Sequence, residues 1–129
     1  MDIDAVKKRL EMLGYEHNES EDNVIQYLIE MTAQTIKHKC NISEIPECLN
    51  YVWCDMVCGE FLGTKLTTGK LESMQVNQIA TKIKEGDTEV TFAEGTDPQK
   101  RLNSFFKNMA NGNGQLIKHR TQLQQDKFK

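Results

Sequence analysis

At 129 residues the chain has the length of one domain, enough to bury a hydrophobic core without a metal or disulfides to hold it. An apolar fraction of 38% and a charged fraction of 27% exclude wholesale disorder and fit a compact body with polar extensions. No run approaches the roughly 18 apolar residues of a membrane span, and Asp2 and Asp4 stand where a signal peptide is basic. These features point to a protein made and kept in a cytoplasm, with no membrane partner.

The net charge of −3 hides an uneven distribution. Residues 1–99 hold 9 Lys/Arg against 18 Asp/Glu, whereas residues 100–129 hold 7 Lys/Arg against a single Asp. Either a solvated acidic body carries a soluble basic tail, or the tail seeks an acidic partner.

In chain order, Ile3, Val6, Leu10 and Leu13 share one helical face, with Asp2 or Asp4 as cap and Gly14 as terminator. After the polar link Tyr15–Glu19, Ser20 offers the cap of a second helix, and Glu21 and Asp22 suit its positive dipole end. That helix carries Val24, Ile25, Leu28, Ile29, Thr32 and Ile36, and Asn41 suits a left-handed terminator. A third helix is predicted over Ile45–Gly63, with Pro46 in its first turn and Gly63 just past its last. Leu49, Val52, Trp53, Met56, Val57, Phe61 and Leu62, widened by Cys54 and Cys58, make it apolar around most of its circumference. Such a helix must be covered on more than one side, and Gly59 gives a neighbour room for close approach. It is the expected centre of the core.

Beyond Gly63, Thr64–Gln75 reads as an exposed polar loop. Ile79, Thr81 and Ile83 then alternate with polar residues, as do Val90 and Phe92, and Glu85-Gly86-Asp87 lies between as a turn signal. This predicts a β-hairpin over Ile79–Ala93, which needs a partner because two strands alone are marginal in water. Ile79, Ile83, Val90 and Phe92 are its candidate subunit-interface residues.

Asp97-Pro98 opens a last helix with Leu102, Phe105, Phe106 and Met109 on its apolar face, and Asn111-Gly112-Asn113-Gly114 breaks it. The segment Gln115–Lys129 is too polar to build a core and too apolar for an inert linker. Its Leu116, Ile117, Lys118, Arg120, Leu123, Lys127 and Phe128 suit a segment that orders on an acidic, partly apolar groove of another protein. The alternative is a solubilising tail. The expected fold is mainly α: a compact bundle of about four helices, one β-hairpin between helices three and four, and an extended C-terminal tail. Residues 1–110 form the helical domain and residues 111–129 the hinge and basic tail. The predicted core comprises Leu28, Ile36, Leu49, Trp53, Met56, Val57, Phe61, Leu102 and Phe106.

The residues assemble no evident chemistry. Cys40, Cys48, Cys54 and Cys58 contain no C-x-x-C pair, and on a core helix free cysteine behaves as a small hydrophobe, so neither zinc nor a disulfide is expected. His17 and His119 fall in polar link and tail. The glycines at 112 and 114 are followed by no Lys-Ser/Thr and read as a hinge, not a phosphate cradle. No enzyme, metal or cofactor is predicted.

One resemblance is usable. Val6–Tyr15 ending in LGY, Asn23–Asn41 ending in a Cys-Asn pair, Ile45–Gly63 opening with IPE, the β-hairpin predicted after it, and the shorter helix with Leu102–Met109 follow an order of elements and apolar positions. That order resembles the small head–tail connector (adaptor) proteins of tailed bacteriophages and prophages. The resemblance implies a connector domain over residues 1–110 and a ring of self-copies, commonly twelve, beneath the portal protein. Such a ring extends the channel, passes double-stranded DNA without specific binding, and presents a surface to a further neck or tail-completion protein. It implies a place in the virion neck, assembled in the host cytoplasm, and it carries no catalytic residues. Gln115–Lys129 has no counterpart in it, so a portal or adjacent-subunit contact there rests on the residues alone. Two other classes stay open: a small nucleic-acid-binding protein using Lys118, Arg120, Lys127 and Lys129, and a cytoplasmic regulator that binds one protein partner.

Overall fold

The computed structural model describes residues 1–86 and 98–112, which form five α-helices and no strand. Asp2 caps α1 (Ile3–Met12), its carboxylate accepting from the Asp4 N–H at 3.4 Å. Gly14 takes a φ of 92°, and the Tyr15 N–H reaches back to the Leu10 carbonyl at 2.9 Å. The turn sends Tyr15 inward, where it is buried with Val6, Leu10 and Leu13.

The start of α2 (Asp22–Cys40) differs from the expected Ser20 cap. Asn18 closes a capping box one 3₁₀ turn earlier, accepting from the Ser20 N–H while Glu21 accepts from the Asn18 N–H at 3.2 Å. An amide three residues before a Glu satisfies two orphan donors, which the Ser20 hydroxyl alone cannot do. At the other end Asn41 adopts the left-handed conformation, φ 55° and ψ 51°.

Pro46 lies outside the third helix instead of in its first turn. Its extended backbone leads into a 3₁₀ turn at Glu47–Leu49, and α3 runs Asn50–Thr67. Gly63 is inside α3, not past its end. The helix continues because Gly63 faces α5, where a β-carbon would sit 3.5 Å from that of Phe106. The Thr67 and Thr68 hydroxyls donate to carbonyls of the preceding turn, and Gly69, φ 72°, finishes the element.

The predicted loop and hairpin are overturned by α4 (Ser73–Gly86). Ile79 and Ile83 also stand at helical spacing from Val76, and in α4 all three are buried inside the chain, so the two isoleucines are core residues and not a subunit interface. The Thr81 hydroxyl bonds the Asn77 carbonyl at 2.8 Å, and the Gln75 side chain accepts from the Glu72 N–H at 3.0 Å near the helix start. Val90, Phe92 and the Asp97 cap lie outside the described residues. The last helix, α5, spans Pro98–Ala110.

Around α3 pack α5, most extensively, then α2 and α1, while α4 rests on α5. The larger core cluster draws on all five helices and includes Val57, Phe61, Ile79, Leu102 and Phe106. A smaller one joins Ile36, Cys40, Leu49 and Met56. Trp53 is only partly buried and touches both clusters, and Leu28 is likewise at the edge of the core. Among the described residues no helix is long and apolar enough to cross a membrane.

Candidate functional site

Three sets of side chains have the chemistry to do more than fill space: the thiols, a polar cluster under the first loop, and the apolar residues left on the surface.

Cys54 and Cys58 are one turn apart on α3 and point at α1. Their thiols approach the carbonyls of Ala5 at 3.6 Å and Val6 at 3.8 Å. The hydrogen bond with Cys54, and then burial, push the Cys58 thiol far above its ordinary range, so it is an inert core group. Cys40 is buried with the smaller cluster, but Cys48, expected among core neighbours, is exposed on the 3₁₀ turn before α3. Among the described residues no group of three or more His, Cys, Asp and Glu side chains is placed to hold a metal ion.

The polar cluster joins Tyr15, Glu21 and Lys65. Tyr15 donates to Glu21 Oε1 at 2.8 Å, and the Lys65 ammonium pairs with Oε2 of the same carboxylate. The ammonium also stands 5.3 Å and 5.4 Å from the ring centres of Tyr15 and Phe61, which meet edge to face. Burial opposes the Glu21 charge, but hydrogen bonds from Lys65, Tyr15 and the Asn18 N–H outweigh it and hold the carboxyl below its usual range. Burial likewise opposes the Lys65 charge, and the bonds to Glu21 and Tyr15 more than restore it. With Glu21 pushed down and Lys65 pushed up, neither is poised to exchange a proton near neutrality. The cluster is a clamp between the α1–α2 loop and the end of α3. Two further ion pairs tie α1 to its neighbours, Lys7–Asp22 at 3.0 Å and Arg9–Asp55 at 2.8 Å. His17 Nε2 stands 4.0 Å from Glu11 Oε1.

The surface holds the remaining candidates. Val24, Tyr27 and Met31 are exposed along α2, Met12 and Tyr51 flank an apolar groove between α1 and α3, and Met74 stands on α4. The groove floor includes Ala5 and Cys54. Such surfaces suit contact with another protein. Val24, expected in the core stripe of α2, lies instead on the exposed side of the helix. The signal was present in Val24, Met31 and His38, spaced by seven residues. The tail residues predicted to bind a partner, Leu116, Ile117, Lys118, Arg120, Leu123, Lys127 and Phe128, lie outside the described residues.

No protein-family model, curated protein or solved structure matches the chain.

Proposed function

We propose that this chain is a head–tail connector subunit of a tailed bacteriophage or prophage: a structural neck protein that assembles as a ring beneath the portal, joins head to tail, and performs no catalysis. One observation carries the reading. The four segments in which the sequence resembles that family, Val6–Tyr15, Asn23–Asn41, Ile45–Gly63 and Leu102–Met109, fall on α1, α2, α3 and α5 and together supply most of one core. The β-hairpin of that pattern has no counterpart among the described residues, where α4 holds Ile79 and Ile83, so the support comes from these four helical segments. The acidic body and basic tail add support, since a ring subunit needs complementary surfaces for its neighbours. In this reading the tail, Gln115–Lys129, docks on the portal ring, or on an adjacent copy as second choice, and the DNA passes through the lumen without specific contacts.

Co-expression with the product of a neighbouring portal gene, followed by electron microscopy of the purified complex, tests the proposal. An added ring beneath the portal is expected. Portal rings that purify without this chain, at any ratio, overturn the reading. Truncation after Gly112 tests the tail: an unchanged helical fold with docking lost is expected, and a truncated chain that still docks leaves the tail without this role.

A further inference from the structure

Nine asparagines are spread along the chain, and only Asn111 and Asn113 are followed by glycine. In the sequence both stand at the junction between α5 and the basic tail. Exposure does not set them apart, because Asn18, Asn23, Asn41, Asn50, Asn77 and Asn108 are exposed as well as Asn111. The following residue does. A side chain on that residue crowds its backbone nitrogen, whereas glycine leaves the nitrogen open to the preceding side-chain amide. The fold itself requires this glycine. Gly112 takes φ 77°, a left-handed conformation that other residues adopt only with strain, just past the end of α5. The Asn111 N–H still donates to the Lys107 carbonyl at 3.0 Å, while the residue is open to solvent. Gly112 is covered, so its nitrogen reacts when this last turn opens, and the bond to Lys107 is what the opening breaks.

We propose that Asn111–Gly112 is a site of self-catalysed deamidation, which turns the joint between α5 and the tail from amide to carboxylate as the protein ages. The Gly112 backbone nitrogen gives up its proton to solvent and attacks Cγ of Asn111. A new C–N bond forms, the bond from Cγ to the side-chain nitrogen breaks, and that nitrogen takes up a proton and leaves as ammonia. The product is a five-membered succinimide. Water then cleaves one of the two ring C–N bonds, giving either aspartate or an isoaspartate whose main chain runs through the side-chain methylene. Neither an oxidant nor a second enzyme is needed. Each event adds one negative charge. The seven Lys/Arg and single Asp of residues 100–129 set a side-chain charge of +6, which each event lowers by one. A carboxylate at position 111 also meets the negative end of the α5 dipole. The site therefore weakens the tail's attraction for an acidic surface with time, and it does not rest on the connector reading.

Incubation of the full chain in mildly alkaline buffer, followed by digestion and mass spectrometry that separates aspartate from isoaspartate, tests it. A gain of about 1 Da is expected at Asn111 and at Asn113, with the other seven asparagines unchanged. The rate should rise about tenfold per pH unit, as the deprotonated fraction of a very weak acid does. A synthetic peptide of residues 107–115 gives the rate without the helix. Asn111 in the chain should react within about tenfold of it, the effect of one backbone hydrogen bond. Asn111→Gln, whose longer side chain closes a ring less readily, should abolish the gain at that position and leave the helical circular dichroism unchanged. A full chain in which Asn111 stays unmodified while the peptide reacts overturns the proposal. Equal modification of Asn108, exposed on α5 but followed by Met109, overturns it too. Because no portal enters the assay, these outcomes are independent of whether the chain joins a neck.

Discussion

Gly59 and Phe106 meet backbone to backbone: a β-carbon on Gly59 would stand 2.6 Å from the Phe106 carbonyl oxygen and 2.6 Å from the Ala110 nitrogen. Neither atom can swing aside as a side-chain tip does, so α3 and α5 must separate to admit even a methyl group. Gly59→Ala is expected to destabilise the fold by about 1–3 kcal/mol, the usual cost of overpacking. Gly63→Ala, with 3.5 Å of clearance, should be tolerated, and it should gain some helix propensity. Urea unfolding of the two variants side by side checks the contrast.

Trp53 holds the two core clusters together, and its Nε1–H donates to the Ile29 carbonyl at 3.1 Å. Trp53→Phe keeps a ring in place but loses that bond, at about 1 kcal/mol. Trp53→Ala opens the junction and should cost about 3 kcal/mol or more. Calorimetry on both variants separates the ring's packing from its hydrogen bond.

The Tyr15–Glu21–Lys65 clamp has a definite pH signature. Glu21 is depressed in the fold, so its contribution is fully present above the ordinary carboxyl value of 4.5 and is lost as pH falls through the folded value. Lys65 is raised, so its contribution is present below 10.5 and is lost as pH climbs through its folded value. Glu21→Gln should cost about 1–3 kcal/mol at neutral pH, as for other hydrogen bonds to charged groups. It should also flatten the acid limb of a stability–pH curve. An acid limb unchanged by Glu21→Gln would mean that another carboxylate dominates it.

The four thiols should react in an order set by exposure. A maleimide is expected to modify Cys48 first and Cys54 next, with Cys40 and Cys58 reached only when the chain opens. Mass spectrometry of a timed reaction reads the order. Early modification of Cys58 would contradict its place against Val6.

The parts of the fold legible in the sequence were those in which one residue type has one use. Val6 and Leu10 belong to a single-faced helix, and Asn41 is one of the few residues at ease in a left-handed turn. Errors came where one pattern serves two ends. Glycine marks both helix ends and close helix contacts, so Gly63 read as a stop although it lies beneath Phe106. Ile79, Thr81 and Ile83 alternate as a strand does, yet Val76, Ile79 and Ile83 also fit one helical face. The choice is made by tertiary burial, which a local window does not contain. The Asn18–Glu21 box was missed because Ser20 offered a nearer hydroxyl. The tail contact residues follow from composition, whereas Val24 shares its spacing with the core stripe of α2 and only burial separates it from Ile25.

The seam between α3 and α5 also sets the order in which the molecule can be made. A ribosome adds about 5–20 residues per second, so the first three helices leave the exit tunnel seconds before α5 does. In that interval the face of α3 that holds Gly59 and Gly63 has no cover, because its covering helix follows α4 in the chain. The nascent chain thus displays an apolar strip that chaperones can bind and proteases can find. Phe106 and Ala110 end that exposure when they arrive, so α3 is covered on this face only after α5 has been made.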